Sequence, residues 1–121
     1  MISHESGTFF PEGTFSQINN SSYLKAPSPI LNLPPPSCYC TVFAERFGYE
    51  LNGHAYQLQP NSDEPTVGGL ILTREGPYGH VAVIYQIDFD SLIIVESNYV
   101  ECKITYRRIP LDYKLIRGYI K

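Results

Sequence analysis

Hydrophobic and polar positions along this chain follow two rhythms. In "CYCTVFAERFG", residues 38–48, Cys40, Phe43, Ala44 and Phe47 recur at i, i+3, i+4 and i+7 and so share one face of a helix. Ser37 stands where an N-cap belongs, and Gly48 where a helix stops. Beyond the loop "LNGHAYQLQPNSDEPT" the period changes to two. It predicts strands over 69–74 ("GLILTR"), 80–87 ("HVAVIYQI"), 91–98 ("SLIIVESN"), 102–109 ("CKITYRRI") and 115–120 ("LIRGYI"). One helix followed by a meander of about five strands is an α+β layout, with the helix laid on one face of an antiparallel sheet.

Residues 1–36 show neither rhythm. They are polar and turn-rich and end in three consecutive prolines, which favour an extended path. They read as an N-terminal arm or linker, with room for a short hairpin around "FFPEGTF" and for docking on a protein partner, ahead of a domain over 37–121.

Composition narrows the picture. At 121 residues the chain holds one modest core, and a net charge of −3 leaves no basic footprint for nucleic acid. No stretch reaches the apolar length of a membrane-spanning helix, so no membrane insertion is expected. The opening "MISHESGTFF" has neither the basic start nor the apolar core of a signal peptide. The expectation is a chain made in the cytoplasm that acts after release, or as part of a larger assembly. Three cysteines cannot all pair within the chain; reduced thiols are the plain expectation, with a Cys38–Cys102 bridge as the alternative.

The chemistry comes from the hairpin. "DFDS" joins the strands over 80–87 and 91–98, and centring the turn on Phe89 sets His80 opposite Asn98 and Ala82 opposite Glu96. Alternation then places His80, Ala82 and Ile84 on one face with Leu92, Ile94, Glu96 and Asn98. If that face meets the helix stripe, the Cys40 thiol, an imidazole and an imidazole-orienting group share one layer, which nucleophilic cysteine catalysis requires. A first-turn position lowers a thiol pKa, the imidazole takes the proton and returns it to the leaving amine, and Glu96 or Asn98 fixes the ring. The backbone N–H of Cys40 could serve a tetrahedral oxyanion.

With "CTVFA", "GHAY", "PTVGGLILTREGPYGHVAVI", "IIVESNYV" and "LIRGYI" in this order, residues 37–121 resemble the CHAP domain, the cysteine- and histidine-dependent amidohydrolases/peptidases of the papain-like NlpC/P60 superfamily. The resemblance implies hydrolysis of amide bonds in bacterial peptidoglycan, as an amidase or endopeptidase, without a cofactor. It implies Cys40 as nucleophile, His80 as base and Glu96 with Asn98 as the orienting pair. Gly53 and Ala55 match an element lining the approach to the site, and Gly79 and Tyr39 flank base and nucleophile. Tyr39 stands where members often carry Gln or Asn. Some members bind calcium through an acidic segment before the cysteine; here that segment is "LNLPPPS", without a carboxylate, and no metal is expected. Such domains are common in phage lysins and virion-associated wall hydrolases.

Plainer readings stand beside these. Cys38 is roughly 200° around a helix from Cys40 and reads as a structural thiol. His54 is the rival base, or a loop histidine. A zinc site from Cys38, Cys40, His54 and Cys102 has the wrong spacing. Glu101, Arg107 and Arg108 read as solvent-facing strand charges, and "REG" at 74–76 as a plain turn, with the rim of a substrate groove as its alternative. A catalytically idle CHAP-like module of a larger assembly is the alternative to an enzyme.

Overall fold

The computed structural model describes residues 8–11 and 24–26 as backbone and residues 32–121 in full. Seven strands form one antiparallel sheet there: β1 (Thr8–Pro11), β2 (Leu24–Ala26), β3 (Leu70–Thr73), β4 (His80–Asp88), β5 (Ser91–Ser97), β6 (Ile104–Pro110) and β7 (Ile116–Ile120). A helix, α1 (Cys40–Glu45), and a 3-10 turn, Ala55–Gln57, precede β3. The strands lie in the order β1-β6-β5-β4-β3-β7, with β2 pairing β4.

The five strands over 69–120 therefore form as the alternation predicts, but the last does not continue the meander. β7 crosses to the far edge and pairs with β3, setting Ile71 against Tyr119. The edge it leaves on β6 is taken by β1, with Phe9 beside Arg107. Two short strands thus come from the stretch read as an arm. The second half of the predicted hairpin, residues 12–15, lies outside the described residues.

Near-continuous apolar runs in β3, β4 and β5 mean that both sheet faces are covered. On one face Phe43 and Ala44 of α1 pack on Leu70, Leu72, Val81, Val83, Ile93 and Val95, with Cys40 and Phe47 partly buried at the margin. On the other, Ile71, Ala82, Ile84, Leu92, Ile94 and Ile109 meet Tyr113, Leu115 and Ile116 from the β6–β7 connection and β7. The helix stripe is as predicted, but it packs on the Val81–Val83 face. The face that carries Ala82 and Ile84 is the opposite one.

Two further corrections concern the helix entry. The N-cap is Tyr39, not Ser37. Ser37 is instead stitched to β5: its N–H donates to Ser97 Oγ at 2.8 Å, and that hydroxyl donates back to the Ser37 carbonyl at 2.6 Å. The second correction is redox: Cys38 and Cys102 form a disulfide, and Cys40 is the free cysteine among the described residues. The helix stops earlier than expected, at Glu45 with Arg46 as C-cap, and Gly48 closes the turn that follows at φ +101°, a conformation that favours glycine.

Phe43 is the side chain that fastens α1 to the sheet, at 1% exposure. Phe43→Ala should lower unfolding free energy by about 3–5 kcal/mol in a urea titration. Phe89→Ala, at the exposed hairpin tip, should change it by less than about 0.5 kcal/mol.

Candidate active site

The hairpin register holds where the site needs it. Val83 pairs Val95 and Ile84 pairs Ile94, as the Phe89-centred turn requires, and the one irregularity falls between Ile84 and Gln86, on the turn side. His80 and Glu96 are thereby brought together, and His80 Nε2 lies 2.8 Å from Glu96 Oε1 with both side chains buried. Cys40, at the start of α1, is coupled to the same ring, each group shifting the charge of the other. The three groups meet although the helix lies on the opposite face, because α1 begins at the end of the sheet where β4 starts. The Ser37–Ser97 stitch and the Cys38–Cys102 bridge, both just ahead of that start, hold it there.

Asn98 takes another role. The chain leaves β5 at Ser97, and Asn98 adopts φ +69°, so alternation no longer governs its side chain. Its Oδ1 accepts the Cys102 N–H at 2.8 Å, closing the turn that carries Cys102 to Cys38. Glu96 alone of the predicted pair bonds the ring.

Above these groups opens a cleft of about 750 Å³ lined by Tyr39, Cys40, His54, Ala55, Tyr78, Gly79 and Asn98, among others. Of the predicted approach residues, Gly53 is not on its wall. Gly53 has φ +95°, and a Cβ there would meet Gln57 Oε1 at 2.4 Å, so it shapes the loop instead. Gly79 is constrained as well: at φ +72° its Cβ would come within 2.8 Å of the Tyr56 backbone nitrogen. His54 stacks on Tyr78 with ring centroids 4.8 Å apart and on Tyr56 at 5.9 Å, an aromatic rim away from the Glu96 carboxylate.

What the sequence reading missed lies behind Glu96. Arg107 is 2% exposed, not solvent-facing, and Glu75 of the "REG" turn is 1% exposed. Arg107 Nε donates to Glu96 Oε2 and its Nη1 and Nη2 to both Glu75 oxygens, each at 2.8 Å. Thr73 Oγ1 and Tyr113 Oη complete the shell of Glu75 at 2.8 and 2.5 Å. The guanidinium stacks over Tyr99, 3.6 Å from the ring centroid. A strand with Arg107 and Arg108 on alternate faces held a signal: one of two successive side chains must face inward. Arg108 is the outer one, partly exposed and paired with Asp88 and Ser91. Glu101 is exposed, as expected.

These contacts set the charges. Burial would raise the Cys40 thiol, but its hydrogen bond to His80, the charge on that ring and the backbone at Val81 and Thr41 hold it below its ordinary value. Burial would likewise depress His80; bonds to Cys40 and Glu96 and their charges push it up to about 10. Burial opposes ionisation of Glu75, yet Arg107 and Tyr113 hold it at about 2, and Arg107 with His80 keeps Glu96 low. Both shifts favour a thiolate beside an imidazolium.

Against this geometry the comparisons are sparse. No protein-family model matches the chain, and no solved structure matches it. It is similar to a protein described as a probable autolysin, SsaALP, of Staphylococcus aureus: 33% identical over 89 residues, covering 71% of this chain. The chain spans about 30% of that protein's length. Among the described residues no group of three or more His, Cys, Asp or Glu is placed to hold a metal ion.

The charge pattern gives a pH prediction. Glu75, depressed from 4.5 to about 2, stabilises the fold above pH 4.5 and loses that contribution as pH falls towards 2. His80, raised from 6.5 to about 10, contributes fully below pH 6.5 and loses its contribution as pH climbs to about 10. Thermal unfolding followed by circular dichroism should give its highest Tm between about pH 4.5 and 6.5. In His80→Gln the decline between pH 6.5 and about 10 should flatten.

Proposed function

We propose that this protein is a cysteine amidohydrolase that cuts amide bonds of bacterial peptidoglycan, with the papain-like fold of the CHAP and NlpC/P60 domains. One observation carries the reading: at an open cleft a free cysteine is coupled to a buried imidazole, which is bonded to a buried carboxylate. The likeness to a probable autolysin supplies the substrate class. An autolysin acts on its own cell wall, so the place of action proposed here is the bacterial wall.

The chemistry follows from the resting charges. The Cys40 thiolate attacks the carbonyl carbon of a substrate amide, forming a C–S bond and moving the carbonyl electrons onto oxygen. The Cys40 N–H, one of the first-turn donors that a helix leaves without an intrahelical partner, is available to that oxyanion. Collapse re-forms the carbonyl and breaks the C–N bond while the His80 imidazolium gives its proton to the departing amine. His80, now neutral, takes a proton from water; the hydroxide attacks the thioester and the thiolate leaves. Glu96 holds the ring throughout, fixing Nε2 so that Nδ1 faces the sulfur. The substrate lies along Tyr39, Tyr78 and His54, whose faces suit flat, weakly polar groups.

Purified bacterial walls incubated with the protein should release soluble fragments whose masses identify the bond cut. Cys40→Ala and His80→Ala should lose at least about 1,000-fold in rate while staying folded. Glu96→Gln should lose on the order of 100-fold, since it orients rather than reacts. Cys38→Ser should still hydrolyse walls but be less stable by about 2–4 kcal/mol, because the bridge is gone. A folded wild-type protein that releases nothing would make this an idle module, and an active Cys40→Ala would refute the nucleophile.

A further inference from the structure

The reaction above uses Cys40, His80 and Glu96, and leaves Glu75 and Arg107 without a chemical part. Burying a carboxylate and a guanidinium is costly unless each is fully paired, and pairs of this kind seldom add net stability over apolar replacements. Their geometry suggests another use.

If Arg107 paired with Glu96 alone, one cation would cancel one anion. The carboxylate facing His80 would then offer the ring a hydrogen bond but little charge. Glu75 changes that balance. It engages Nη1 and Nη2 of the same guanidinium at 2.8 Å each, while Nε and Nη2 reach Glu96 at 2.8 and 3.0 Å. One positive charge is shared between two carboxylates, so the cluster carries a net negative charge at the end where His80 sits.

The other groups around the ring do not offset that charge. From α1 comes Cys40, itself anionic when ionised; from β5, Glu96; from β6, Arg107, already counted; from the β5–β6 turn, the Tyr99 ring at 6.0 Å. Glu75 comes from the β3–β4 connection and is coupled to His80 by charge, with Tyr113 behind it as a neutral donor. A proton on His80 brings the Glu75–Arg107–Glu96–His80 array to neutrality.

We infer that Glu75, acting through Arg107, is a positioning residue for the proposed hydrolysis: it frees the charge of Glu96 to hold the proton on His80 and so keeps Cys40 as a thiolate. The inference rests on the proposed function, but its core is a statement about where a proton sits. Glu75 touches no reacting atom. Its reach is electrostatic, and the carboxylate charge rather than the carboxylate shape is what matters.

That distinction decides the experiment. In Cys40→Ala, which removes the thiolate, ¹⁵N shifts of the His80 imidazole should still report a charged ring at pH 8, because the array alone suffices. Adding Glu75→Gln, nearly isosteric but neutral, should lower the His80 midpoint by at least about one pH unit, a tenfold loss in proton affinity. Adding Glu75→Asp, shorter but charged, should leave the midpoint nearer the Cys40→Ala parent than Gln does. A midpoint unmoved by Gln, or Asp moving it further than Gln, would overturn the inference. Should the Gln variant not fold, Cys40→Ala alone still decides: a ring that titrates near 6.5 refutes it. All readings are on the imidazole, so a neutral His80 in Cys40→Ala, where the wild-type protein digests walls, sinks this inference alone. Walls left undigested by the wild-type protein, with His80 charged in Cys40→Ala, sink the proposed function instead.

Discussion

A guanidinium buried between two carboxylates is the constraint on which the site depends. Arg107 cannot give up its charge, so wherever β6 places it the fold must supply anions. Glu96 and Glu75 come to it from β5 and from the loop ahead of β4. In meeting the needs of Arg107 they also align the ring of His80, because Glu96 uses its two oxygens in two directions. Charge pairing in the interior and orientation at the cleft are therefore one arrangement.

The second constraint is mechanical. A helix of six residues cannot hold its own start in place, yet the thiol must meet the ring within hydrogen-bonding distance. Two links do this from outside the helix. Ser37 is bound through both its N–H and its carbonyl to one hydroxyl of β5, and Cys38 is tied to the turn after that strand. Both anchors lie on the strand that carries Glu96 or on the turn that follows it. Cys40 and Glu96 are thus referenced to the same piece of backbone.

Local rules made much of this legible. Period two located β3 to β7, and a turn centred on Phe89 was enough to bring His80 to Glu96. The stripe Cys40–Phe43–Ala44–Phe47 marked the packed side of α1. The rest depends on partners distant in sequence. Nothing local tells which sheet face receives a helix when both faces of β4 are apolar, and alternation alone points to the Ala82–Ile84 face rather than the Val81–Val83 face that α1 covers. Asn98 belonged to the strand pattern until the backbone turned left-handed there. Arg107 and Glu75, 32 positions apart, look like surface charges until the fold joins them. The Cys38–Cys102 bridge, across 64 positions, is legible only as an alternative to reduced thiols until the fold joins the two.

The central claim is that the Cys40 sulfur becomes covalently bound to the carbonyl carbon of a wall amide. The most direct measurement is acid quenching of the protein during wall digestion, followed by peptide mass mapping. The account predicts a thioester adduct on the peptide that carries Cys40, absent from His80→Ala. Wall fragments released with that peptide unmodified at every quench time, or an adduct on another residue, would contradict it.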